Sequence, residues 1–79
     1  MAEAVEGLPV YKQIRRCIAE RIERGDYPTG SMIPSENELA EEFGTTRLTI
    51  RSAMDELVKS GQIRRVQGKG AFVGHKWFD

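Results

Sequence analysis

The run Thr46-Arg47-Leu48-Thr49-Ile50-Arg51 sets two hydroxyls and two guanidinium groups within six consecutive residues, and Gly68-Lys69-Gly70 sets an ammonium between two residues that have no side chain. Such groups donate hydrogen bonds and neutralise anions. They suit phosphate oxygens and the edges of bases. Little else in the chain can do covalent chemistry. The single histidine, His75, lies near the end, with no nucleophile and base, metal-ligand cluster or phosphate-binding glycine motif beside it. Neither a catalytic residue nor a metal or cofactor is therefore expected. The single cysteine, Cys17, falls in an apolar stripe and is expected to pack. Taken alone, the Thr46–Arg51 run fits a capped, solvated helix as well as a reading surface, and Gly68-Lys69-Gly70 fits an ordinary hairpin loop.

With 79 residues, 39% hydrophobic and 30% charged, the chain has the size of one small soluble domain. No apolar run approaches the length that crosses a membrane. One cysteine cannot form an internal disulfide, and residues 1 to 6 lack the basic and apolar regions of a signal peptide, so a reducing cytoplasm is expected. Twelve basic residues balance twelve acidic ones, but unevenly. Residues 1–46 hold five basic and nine acidic side chains, and residues 47–79 hold seven and three. A polyanion responds to the local field, so the second half is the candidate to face one.

Elements that would position these groups follow from periodicity. Val10, Ile14, Ile18 and Ile22 recur at every fourth residue, with Pro9 suited to a first helical turn and Gly25 to a position just past the end. Tyr27 to Ser31 is turn-rich, and Met32-Ile33 can make only a short extended piece before Pro34. Ser35 and Glu38 have capping-box spacing, which opens a short second helix whose apolar face is Leu39, Ala40 and Phe43 and whose stop is Gly44. Thr46 caps a third helix in which Ile50, Ala53, Met54, Leu57 and Val58 form one face, until Gly61. Ile63–Gln67 and Ala71–Val73 then flank the Gly68-Lys69-Gly70 loop as a hairpin. The first of these strands alternates poorly, because Ile63 and Arg65 share a face.

On a helical projection Ile50, Ala53, Met54 and Leu57 cluster together, Thr49 and Arg51 lie near the edges, and Leu48, Ser52 and Asp55 point away. Arg47 projects nearer the apolar side, but in the first turn its long side chain can extend forward. The expected fold is mainly α with a small β-hairpin: three helices and a wing, a winged helix-turn-helix. In that fold one helix braces, one enters the major groove, and the wing reaches an adjoining groove or the backbone. Gln67 can donate beside Lys69, while Arg64 and Arg65 are either backbone contacts or strand-edge charges.

Four stretches carry a resemblance: Pro9–Ile14, Ile33–Ala40, Thr46–Arg51 and Gly68–Val73. In this order and spacing, over residues 8 to 74, the chain resembles the GntR family of bacterial transcription regulators. The resemblance implies a metabolite-responsive repressor whose winged helix domain binds double-stranded operator DNA, an inverted repeat, as a homodimer, with no membrane partner. It implies base-edge or phosphate contacts from Thr46, Arg47, Thr49 and Arg51, and a wing tip at Gln67, Gly68 and Lys69, with Gly70 beside them in the DNA-contacting set. It adds Ser35 and Asn37 of the second helix to the DNA-contacting set. The family often has an arginine at the position of Asn37, a charge absent here. Thr29, Thr45 and Ala71 replace a frequent proline, valine and threonine, departures that bear on local packing. Residues 1–8 are expected to be a tail, 9–74 the domain, and 75–79, with Trp77 and Phe78, a tail or the start of a linker to an effector domain. Wording around Ser35–Glu38 looks most like the branch with a sugar or small-metabolite sensor domain. A winged helix used as a protein-interaction module is the alternative, favoured by the net neutrality and the acidic first half.

Overall fold

In the computed structural model, residues 9–74 are described. Three helices and a two-stranded hairpin follow in the order α1 (Val10–Arg24), α2 (Glu36–Phe43), α3 (Arg47–Lys59), β1 (Ile63–Val66) and β2 (Gly70–Val73). The tail residues 1–8 and His75, Trp77 and Phe78 lie outside the described residues.

Each helix starts and stops for a local reason. At α2, Ser35 Oγ accepts from the Glu38 N–H at 3.1 Å and Glu38 Oε1 accepts from the Ser35 N–H at 3.0 Å, the reciprocal capping box. Gly44 ends the helix at φ 67°, ψ 38°, a left-handed conformation that glycine adopts without a Cβ clash. Two residues later the side chain of Thr46 accepts from the Thr49 N–H at 3.2 Å and opens α3. So short a link forces α2 and α3 to pack against each other at once. The third helix stops slightly before the expected glycine: Ser60 is its C-cap, and Gly61 follows at φ 85°.

The core is drawn from every element. Ile14 and Ile18 of α1, Leu39 and Ala40 of α2, and Ile50, Ala53, Met54 and Leu57 of α3 are buried together with Ile33, Ile63 and Val73. Val10 belongs to the α1 series yet stays 56% exposed, since its phase fixes a direction and not whether another element extends far enough to cover it. Cys17 is half-buried and outside the core, because it sits at the edge of the Ile14–Ile18 stripe. Glu56 of α3 holds α1 from the other side, with Arg15 Nε at 3.2 Å and Lys12 Nζ at 3.9 Å.

The hairpin pairs antiparallel in the register Ile63↔Val73, Arg64↔Phe72, Arg65↔Ala71, Val66↔Gly70. The tip is therefore Gln67–Lys69, closed by Lys69 N–H to Val66 C=O at 2.9 Å, and Gly70 belongs to β2 instead of the loop. The short extended piece at Met32 is real and does more than connect. It bridges antiparallel to Phe72, with Ile33 N–H to Ala71 C=O at 2.8 Å and Val73 N–H to Ser31 C=O at 2.9 Å. These bonds tie the wing's outer strand to the chain entering α2.

The poor alternation of β1 has a simple basis. Ile63 and Arg65 share the face toward the helices: Ile63 is 1% exposed in the core, and Arg65 extends past it to Asp55 of α3 at 2.6 Å. On the opposite face Arg64 lies over the ring of its cross-strand partner Phe72, 5.9 Å from the centroid. Because Leu57 is fully buried where the helices and β1 meet, Leu57→Ala should destabilise the domain by about 2–5 kcal/mol. Thermal unfolding followed by circular dichroism should show the melting temperature fall by roughly 10 °C or more.

Candidate nucleic-acid interface

The start of α2, the first turns of α3 and the hairpin tip surround one open groove of about 770 Å³. Its walls hold Ser35 and Asn37 from α2, Arg47 and Arg51 from α3, and Gln67, Gly68, Lys69 and Gly70 from the wing. Eight of the ten residues singled out in the sequence thus meet across a single concavity. The other two, Thr46 and Thr49, are not part of its wall. They are engaged with each other at the mouth of α3, Oγ1 to Oγ1 at 3.1 Å.

The hydroxyls of Ser35 and Thr46 serve as caps by accepting hydrogen bonds. A serine or threonine hydroxyl has one proton to donate besides, so Ser35 can cap and still offer a donor to an anion, while of Thr46 and Thr49 one donates to the other and the remaining hydroxyl keeps its proton. Asn37 is exposed, and its amide offers two donors in place of a charge. Arg47 is exposed and lines the groove, so its projection toward the apolar side does not bury it. Leu48 stands 74% exposed on the outer face of α3, an apolar surface of the kind that contacts a thymine methyl.

Ion pairing divides the basic residues. Among the described residues Lys12, Arg15, Arg16, Arg21, Arg24, Arg51 and Arg65 have a carboxylate at ion-pair distance. Arg47, Lys59, Arg64 and Lys69 have none. All four unpaired cations among the described residues belong to the second half of the chain, and two of them, Arg47 and Lys69, line the groove. Two first-half cations are also occupied structurally: Arg21, on α1, binds Glu42 and the Tyr27 hydroxyl and lies over Phe43, and Arg24 binds Asp26. Net neutrality thus conceals a surface where the free positive charge is concentrated.

Arg51 is different. Its Nε and Nη2 meet Glu36 Oε2 and Oε1 at 3.3 and 3.0 Å. Hydrogen bonding to Glu36, with the attraction of the same carboxylate, raises the guanidinium pKa above its ordinary value. Glu36 also stands 3.9 Å from Arg65. Neither Glu36 nor Arg65 could be assigned from sequence, because the pairs span fifteen and twenty-nine residues. The only local hint was the unexplained charge at a core-facing position of β1.

This arrangement of helices, turn and hairpin defines a winged helix-turn-helix protein. The family described as bacterial regulatory proteins, gntR family, matches residues 10–73, and the chain belongs to it. Relatives include the HTH-type transcriptional repressor NagR of Bacillus subtilis, 39% identical over 66 residues, which cover 84% of this chain and 27% of NagR. The histidine utilization repressor of Pseudomonas putida is 39% identical over 74 residues, 92% of this chain and 30% of that protein. The chain therefore spans less than a third of the length of these curated relatives. Among solved structures, the DNA-binding domain of AraR in complex with operator ORE1 superposes with a TM-score of 0.82 at 43% identity, covering 85% of this chain and 82% of that one.

The wing's shape depends on a close approach. Gly70 has φ 136°, and a Cβ there would meet Met32 Sδ at 3.3 Å, whereas a Cβ at Gly68 would meet nothing. Gly70→Ala should cost about 1–3 kcal/mol and loosen the tip, and Gly68→Ala, strained only by its φ of 81°, should cost less. Urea unfolding midpoints, with hydrogen exchange at the Lys69 and Ile33 amides, rank the two.

Proposed function

We propose that residues 9–74 are the operator-reading unit of a bacterial transcription repressor. The observation that carries this reading is the single groove on which Arg47 and Arg51 of α3 and Gln67–Gly70 of the wing converge. An α-helix fits the major groove of B-form DNA, and α3 opens with donors and an apolar side chain on its uncovered face. Thr46, Arg47, Thr49 and Arg51 contact base edges or phosphates there. Ser35 and Asn37 contact the backbone beside it, and Gln67, Gly68, Lys69 and Gly70 enter the neighbouring minor groove or bind its phosphates. The operator-bound AraR domain and the two relatives named as repressors support this assignment.

Two copies bind an inverted repeat as a homodimer, since a two-fold pair reads half-sites related by the same symmetry. Repression responds to a metabolite sensed outside these 79 residues, in keeping with relatives about three times as long. The protein works in the cytoplasm, where operator DNA is found.

Selection of duplexes from a random library, followed by fluorescence anisotropy, tests the reading; a chain that enriches no sequence would overturn it. Arg47→Ala should weaken the selected duplex by about 1–3 kcal/mol and random DNA far less. Lys69→Ala should weaken both alike and reduce the slope of log affinity against log salt by about 1, the mark of one lost phosphate contact.

A further inference from the structure

Two acidic side chains line the groove: Glu38, whose carboxylate is taken up by the capping box at Ser35, and Glu36, which caps nothing. A carboxylate beside a polyanion repels it. Unless the charge does something else, DNA binding would improve without it. The Glu36 side chain is one-quarter exposed and forms two hydrogen bonds, both to Arg51, while Arg65, held by Asp55 at 2.6 Å, stands 3.9 Å from its Oε2. Asp55, Arg65, Glu36 and Arg51 make an alternating chain of charges across α3, β1 and α2.

The edge by which Arg51 is held matters. A guanidinium presents two forked edges: the side, made of Nε–H and one Nη–H, and the end, made of the two Nη groups. Glu36 occupies the side edge through Nε and Nη2. The end edge, with Nη1, has no partner among the described residues, and the side chain is 58% exposed. Two parallel donors on that edge match guanine O6 and N7, the pair of acceptors that a guanine shows in the major groove.

We infer that Glu36 is a positioning residue for sequence reading: its side-on grip on Arg51, itself steadied by Arg65, presents the free end of that guanidinium to a guanine. This deepens the operator-reading assignment and rests on it. Glu36 itself touches no base. Its effect is to convert a flexible cation that would bind any phosphate into a fixed fork that discriminates one base.

The test uses the 79-residue chain and duplexes selected from the random library. Arg51→Ala first locates the guanine whose preference is lost. At that position the duplex is remade with 7-deazaguanine, which lacks the N7 acceptor, and with adenine. Wild type should bind the guanine duplex at least tenfold more tightly than either. Glu36→Gln keeps the side-chain shape but loses the charge and one acceptor. It should reduce that discrimination to about threefold or less, while affinity for random DNA stays level or rises. In an Arg51→Ala background Glu36→Gln should change discrimination no further. Circular dichroism melting of each variant reports folding, and the random-DNA affinity serves as a second check that a variant is intact.

Retained guanine discrimination in Glu36→Gln, or equal tightening on every duplex, would show that the carboxylate only repels DNA and would overturn the inference. So would an Arg51→Ala chain that loses no guanine preference. In those cases wild type still selects a sequence, and the operator-reading assignment stands. A wild-type chain without any sequence preference brings down both.

Discussion

Everything in this molecule turns on α3 being buried along one side only. Ile50, Ala53, Met54 and Leu57 lock it into the core against α1, α2 and β1, and that burial, at about 25 cal/mol per Å² of apolar surface, fixes the helix far more firmly than its own propensity. The residues between them in sequence are then held outward by the same helical geometry. A reading surface needs side chains that are free to meet a partner yet anchored at the backbone, and one amphipathic helix provides both.

The elements around α3 make that surface concave. A three-residue link places the end of α2 beside the capped start of α3, and the groove wall takes Ser35 and Asn37 near the start of α2 together with Arg47 and Arg51 of α3. The hairpin supplies the facing wall. Its direction is held from two sides, by Ile63 and Val73 in the core and by the Met32–Ile33 backbone bonds to β2. A two-stranded hairpin alone is marginally stable in water, and these anchors are what allow its tip to project.

Charge is organised by pairing more than by number. All five first-half cations are tied to carboxylates, whereas Arg47 and Lys69 in the groove wall are not, so a chain with no net charge shows a groove with free cations. Exposed pairs of this sort add little stability, commonly under about 1 kcal/mol each. Their consequence is chiefly directional: they decide which cations remain available, and the Asp55–Arg65–Glu36–Arg51 chain decides how one of them is aimed.

What could be read from the chain alone was whatever depends on near neighbours. The capping box at Ser35, the cap at Thr46, the glycine stop at Gly44 and the phase of α3 all involve groups within a few residues, where spacing dictates geometry. The family motifs, too, are local strings, and eight of the ten candidate residues did converge on one groove. Tertiary structure alone decided the rest. Val10 followed the apolar series and was left uncovered, and the tip of the wing shifted by one residue to obey the pairing register. Arg65 and Glu36 acquired their partners by folding, because an ion pair requires two side chains to arrive at one place, and no periodicity records an encounter fifteen or twenty-nine residues apart.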